Sequence, residues 1–173
     1  GQGTVGIEML EQEPELDVIL AAVGGGGLAS GIAVAAADHD RPVRVVGVQT
    51  ERYPSMADAL AGRASTALAG STVADGIAVS EAGSITEKLL RDHRVQVLVV
   101  SEAAIEEAIA MLLEIEKTVV EGAGAAALAA CLQYPDVFAG QRVGLVLCGG
   151  NIDPRTLSSV TLRGLANQGR LNR

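Results

Sequence analysis

Two apolar periods alternate along this chain, and their order predicts its elements. Leu16–Val23 is an almost unbroken apolar run, the pattern of a strand covered on both faces. Gly24–Gly27 ends it, and Leu28–Ala37 follows as an Ala-rich helix. Arg44–Gln49 reads as a second strand, so strand, tight loop, helix and strand form a βαβ unit with the usual right-handed crossover. Ahead of this unit, Thr4 is the expected N-cap of a helix ending near Gln12, with Pro14 just beyond. Further on, Ser84–Asp92 reads as a helix and Val95–Val100 as a third strand. Ser101 then caps an amphipathic helix with Ile105, Ile109, Leu112, Leu113 and Ile115 on or near one face. Glu121–Leu132 is so rich in alanine that it must pack against close neighbours. Val143–Leu147 is the fourth strand, and Asp153 and Pro154 fit the N-cap and first position of a last helix running to about Asn167. Only Glu51–Thr72 carries mixed signals of helix and turn. The fold class is α/β: a single domain over residues 1–173, an open, mainly parallel sheet with helices on both faces.

Composition sharpens this picture. Hydrophobic residues make up 49% of the 173 but aromatics only 2%, so small aliphatic side chains fill the core and helices lie close on the sheet. The net charge of −8, with no run of five like charges, argues against nucleic acid or an anionic membrane as main partner. The apolar stretches are too short to span a bilayer, which takes about 20 residues. Gly1-Gln2-Gly3-Thr4 lacks the basic start and apolar run of a secretory leader. Cys131 and Cys148 stand in apolar surroundings, where reduced, buried thiols are expected, along with a reducing, cytoplasmic location and no disulfide.

The sharpest chemical feature is Gly24-Gly25-Gly26-Gly27-Leu28 between strand and helix. Without Cβ atoms, several backbone N–H groups can converge on one point, and the helix adds its free N–H groups and positive dipole end. That is a phosphate cradle needing no lysine; the plainer alternative is a turn that lets helix and sheet approach. Gly24, Gly26 and Ala29 also match a dinucleotide fingerprint, but Gln49 and Glu51 fit its acidic ribose-binding position imperfectly. A second cluster, Leu147-Cys148-Gly149-Gly150-Asn151, ends the fourth strand, on the side of a parallel sheet where ligands sit. Cys148 there is either a site residue or a small buried thiol before a glycine turn. Ala74-Asp75-Gly76 is a further turn, and Glu121 opens the Ala-rich helix either as a plain N-terminal charge or as a carboxylate kept for a site.

In order, GQGT, GGGGL, ADGI, EGAGA and CGGN resemble the carboxy-terminal half of fold-type II pyridoxal-phosphate enzymes, and within them threonine dehydratases, serine dehydratases and serine racemases. The resemblance covers essentially the whole chain. It implies pyridoxal phosphate as cofactor, Gly24, Gly25, Gly26, Gly27 and Leu28 at its phosphate, and Cys148 at its pyridine nitrogen. It also implies Glu121 as an accessory group near the ring and Gly76 beside a small amino-acid substrate. A neutral ring partner does not force ring protonation; in this family that accompanies α-proton loss and expulsion of the β-hydroxyl from L-threonine or L-serine, ending in a 2-oxo acid and ammonia. The family's cofactor-bearing lysine lies in a Ser-x-Lys-x-Arg-Gly stretch that has no counterpart here; Lys88 and Lys117 read as solvated faces of charged amphipathic helices. Racemase-like members bind a divalent cation at positions matching Gln49, Tyr53 and Ser55, poor ligands for a hard cation, so no metal site is expected. Leu162–Arg173 resembles the point where many members pass into a regulatory domain. The expectation is therefore a chain trimmed on both sides, lacking the amino-terminal half of its parent, inactive alone, and homo-oligomeric in the parent as members commonly are. Two other functions remain open: an NAD- or nucleotide-binding module, and a non-catalytic binding or assembly domain.

Overall fold

The computed structural model describes residues 1–68 and 70–171; Ala69 in the mixed-signal stretch, and Asn172 and Arg173 in the carboxy-terminal segment, lie outside them. The elements in chain order are α1 (Gly3–Gln12), β1 (Val18–Ala22), α2 (Gly27–Ala37), β2 (Arg44–Thr50), α3 (Ser55–Leu60), a 3-10 turn at Asp75–Ile77, α4 (Ser84–Asp92), β3 (Gln96–Val100), α5 (Glu102–Glu114), α6 (Gly122–Gln133), the single turn α7 (Pro135–Phe138), β4 (Val143–Leu145) and α8 (Pro154–Asn167). The strands form one parallel sheet in the order β3-β2-β1-β4, with Val18 facing Arg44 on one side and Val143 on the other.

Strand periodicity sorts the core into two layers. Val18, Leu20 and Ala22 of β1 join Val46, Val48 and Val100 under α5, α6 and α8. Ile19, Ala21 and Val23 point the other way, packing with Ile32 and Ala33 of α2, Leu90 of α4 and Leu10 of α1. Every residue of β1 is buried, which is why its sequence runs apolar instead of alternating. The helix α6 lies at the centre of the first layer, buried from Gly122 through Ala127, as its alanine content requires.

Four local expectations change. Thr4 lies inside α1 and its hydroxyl donates to the Gly1 carbonyl; the helix begins two residues earlier than a Thr4 cap implies, at Gly3, which sits directly against Gly31, where a Cβ on Gly3 would come within 2.9 Å of the Gly31 carbonyl oxygen. The apolar stripe of α5 stops at Leu112, and Ile115, at the C-cap, is 62% exposed. Lys117 lies past the end of α5, in a left-handed conformation (φ 56°). The strand β4 ends at Leu145, two residues short of its expected end, so Leu147 and Cys148 lie beyond the sheet and Cys148 is exposed, not buried. Cys131 is half-buried, and burial pushes its thiol pKa up. Among the described residues both thiols are free, and no helix is long and apolar enough to cross a membrane.

Candidate functional site

The glycine loop leaves the carboxyl end of β1 and enters α2 through Gly26, whose φ of 90° is comfortable only for glycine. A Cβ at Gly26 would also fall 2.8 Å from the Met56 methyl and 2.9 Å from the Thr86 hydroxyl oxygen. The Thr86 oxygen is 2.5 Å from the Gly25 carbonyl oxygen and 2.9 Å from that of Gly83, which holds the loop's carbonyl side toward α4. The Ser30 hydroxyl donates to the Gly26 carbonyl oxygen at 2.5 Å. With the carbonyls engaged in this way, the N–H side is left free. Val23 N–H donates to Val48 and Ser30 N–H to Gly26, but the six N–H groups from Gly24 to Ala29 have no hydrogen-bond partner among the described residues. The first N–H groups of a helix have no partner within it, so a run of free donors extending back through the loop suits an anion. Gly25 and Gly27 are exposed, and a Cβ on either would meet nothing within 4 Å.

The other predicted residues gather at the same end of the sheet. Gly24 abuts the 3-10 turn: its Cβ would lie 3.3 Å from the Ile77 Cα and 3.6 Å from the Gly76 carbonyl oxygen. Gly76 in turn faces Glu121, whose Oε1 would lie 2.8 Å from a Cβ there. The Glu121 carboxylate accepts from the Asn151 N–H at 3.1 Å, and the Glu121 N–H donates to the Gly149 carbonyl at 3.1 Å. Because β1 and β4 pair directly, Cys148 and Gly24 leave from adjacent strand ends. The site thus has neutral backbone donors at one end and a thiol and a carboxylate at the other. That donor set fits pyridoxal phosphate: free N–H groups suit its phosphate, and a side chain without formal negative charge on the adjacent strand end suits its ring.

Two supporting residues lacked any sequence signal. Thr86 is remote from the loop it contacts. Glu102, the first residue of α5, accepts from the Thr50 and Thr72 hydroxyls and from the Val73 N–H at 2.8 Å, so it anchors the segment leading to Gly76. The racemase-like cation positions serve other ends: Gln49 Oε1 accepts from the Met56 and Ala57 N–H groups at 3.0 Å, Ser55 donates to Val79, and Tyr53 donates to Gly70. Gln49 and Glu51, the residues nearest a dinucleotide's ribose position, are likewise engaged: Gln49 is buried and Glu51 accepts from the Glu102 N–H. Among the described residues no three of His, Cys, Asp or Glu cluster as metal ligands would. A groove of about 840 Å³ runs between α1 and α2, lined by Ile7, Leu10, Pro14 and Val34. It lies on the α1–α2 side of the molecule and is lined by none of the glycine-loop residues, Gly76, Glu121 or Cys148.

Residues 1–149 match the family described as "Pyridoxal-phosphate dependent enzyme". The chain belongs to that family. An L-threonine ammonia-lyase of Thermotoga maritima is 44% identical over 171 residues, 98% of this chain and 42% of the relative. Among solved structures, a threonine deaminase from T.th. superposes with a TM-score of 0.81 at 39% identity, over 88% of this chain and 58% of its own. Maize serine racemase gives 0.81 at 36% identity, over 94% of this chain and 52% of its own. Spanning two fifths to three fifths of these relatives, the chain carries their parallel sheet and flanking helices.

Proposed function

We propose that this chain is part of an ammonia-lyase acting on L-threonine or L-serine, and that it holds the cofactor rather than the group that moves the substrate's proton. The observation that carries this reading is the run of unpaired N–H groups from Gly24 to Ala29. In this reading they receive the phosphate of pyridoxal phosphate, with the α2 dipole adding to the attraction. Bound there, pyridoxal phosphate supplies the electron sink that lets an amino acid lose its α-proton and then its β-hydroxyl, giving a 2-oxo acid and ammonia. Cys148 would meet the ring nitrogen as a neutral partner, which would not favour a proton on that nitrogen as an aspartate does. Gly76 gives the substrate side a wall with no side chain, and Glu121 stands between the two. Neither lysine has the placement of a proton-moving group. Lys88 pairs with Asp92 one turn further along α4, away from the loop that Thr86 touches, and the Lys117 ammonium donates to the Glu114 carbonyl.

Gly25 allows a clean test because its Cβ position is open, whereas Gly26 is conformationally fixed. Gly25→Val should keep the helix content and thermal midpoint near wild type while weakening affinity for pyridoxal phosphate and inorganic phosphate at least tenfold. Gly26→Val should instead lower stability outright. Unchanged affinity in a folded Gly25→Val protein, measured by titration calorimetry, would remove the cradle from the proposal. Formation of 2-oxo acid from L-threonine and L-serine by the protein expressed from its full reading frame tests the reaction itself.

A further inference from the structure

We infer that Glu121 is a positioning residue that clamps the Cys148–Asn151 turn and joins it to the Gly76 turn, so that both walls of the site keep one geometry. As to the site's role, this rests on the ammonia-lyase reading above. The clamp itself stands on distances within the chain. Glu121 occupies the N-cap position of α6 with extended backbone (φ −82°, ψ 173°), where a side-chain oxygen usually accepts from the helix's own first N–H groups. Its side chain makes no such bond. One oxygen accepts from the Asn151 N–H instead, while the Glu121 N–H donates to the Gly149 carbonyl, so a single residue grips the turn at two points, both at 3.1 Å.

The packing shows that this carboxylate is built in, not merely tethered. Gly149 has φ 127°, and a Cβ there would collide with the Glu121 carboxylate, falling 2.7 Å from its carboxyl carbon. A Cβ at Gly76 would come within 2.8 Å of Oε1, and one at Gly124 within 2.7 Å of the Gly149 carbonyl oxygen. Glycine thus lines the carboxylate on two sides and the turn beneath it. A plain N-terminal charge would face water and need none of this. Glu121 reaches Gly76 on one side and Asn151 on the other, and Cys148 lies in the turn whose carbonyl and N–H it holds.

The test compares Glu121→Ala, Glu121→Asp and Glu121→Gln in the protein expressed from its full reading frame. Without cofactor, Asn151 amide exchange followed by NMR should speed up roughly tenfold or more in the Ala and Asp variants, since a bond to a charged acceptor is lost or out of reach. Gln retains an acceptor and should stay near wild type. With saturating pyridoxal phosphate, alkylation of Cys148, read from its peptide by mass spectrometry, should slow about tenfold in the wild type and in Glu121→Gln. Most of that protection should vanish in Glu121→Ala and Glu121→Asp, although their affinity for inorganic phosphate is unchanged. Wild-type Asn151 exchange in the Ala or Asp variants, or full Cys148 protection in them, overturns the positioning role. Should Glu121→Ala fail to fold, the Asp and Gln pair decides alone. If bound cofactor leaves Cys148 unprotected in the wild type, the ring-side assignment of Cys148 falls, while the exchange data still judge the clamp.

Discussion

At the scale of single residues, one carboxylate does for a loop what Glu121 does for the site. Asp58 is 3% exposed and fully satisfied: its Oδ2 accepts from the Thr66 hydroxyl and N–H, both at 2.7 Å, and its Oδ1 from Arg63 at 2.9 Å. Those donors, the Thr66 hydroxyl first among them, hold its pKa below the usual aspartate range, against the opposing pull of burial. A carboxyl whose pKa is depressed by folding stabilises fully above the unfolded value of about 3.9 and loses that contribution as pH falls through the folded value. Asp58→Asn should therefore lower stability by about 1.5–3 kcal/mol at pH 7, the usual size for hydrogen bonds to a charged group. The difference from wild type should shrink as pH drops below about 4. Arg63 adds little, because its guanidinium is largely solvent-exposed and such pairs are weak. Urea midpoints at pH 7 and pH 3 check this; an equal gap at both would show that shape and not charge matters at this position.

At the scale of elements, local chemistry set the helix ends wherever a side chain could do it. Asp153 accepts from the Arg155 and Thr156 N–H groups at 2.9 and 3.2 Å, with Pro154 at the first helical position, and α8 starts where the sequence placed it. Asp153→Ala should cost about 1 kcal/mol, and Asp153→Asn should restore most of it; a denaturation midpoint that Ala leaves unmoved would mean that docking on α5, through Val160 and the Arg163–Glu106 pair, alone holds this helix. Ser101 was equally legible, and its oxygen accepts from the Ala104 N–H. The four strands were legible as well, most plainly β1 and β2, which are buried almost throughout and so show in composition alone. What local sequence could not carry was anything decided by contact across the chain. Thr4 looked like a cap, but the start of α1 is set by Gly3 meeting Gly31. The strand β4 looked two residues longer than it is, because Val146 and Leu147 are apolar yet lie past its last bridge, Leu20 to Leu145. The site divides in the same way. The glycine loop, Gly76, Glu121 and Cys148 were visible as motifs, and the fold brings their segments to one end of the sheet. Thr86 and Glu102 were invisible, because they act on residues 61 and up to 52 positions away.

At the scale of the whole molecule, the distribution of chemistry is uneven, and that sets the last expectation. The carboxyl end of the sheet has hydrogen-bond donors for an anion, a thiol and a carboxylate, but neither lysine is directed there. The proposed reaction needs an amine that holds the cofactor covalently and then moves the substrate's α-proton, within hydrogen-bond reach of the reacting carbon. Lys88 is 75% exposed and bound to Asp92, and Lys117 is bound to the Glu114 carbonyl beyond the end of α5. Both ammonium groups thus have partners on their own stretch of chain, outside the cluster formed by the glycine loop, Gly76, Glu121 and Cys148. The 173-residue chain, purified alone and saturated with pyridoxal phosphate, should therefore form no 2-oxo acid from L-threonine or L-serine above the rate of free cofactor. Losing a covalent catalyst of this kind typically removes several orders of magnitude in rate, well outside the scatter of such an assay. Turnover clearly above the cofactor-only control, abolished by Lys88→Ala or Lys117→Ala, would mean that one of these lysines reaches the reacting carbon and that the division of labour proposed here is wrong.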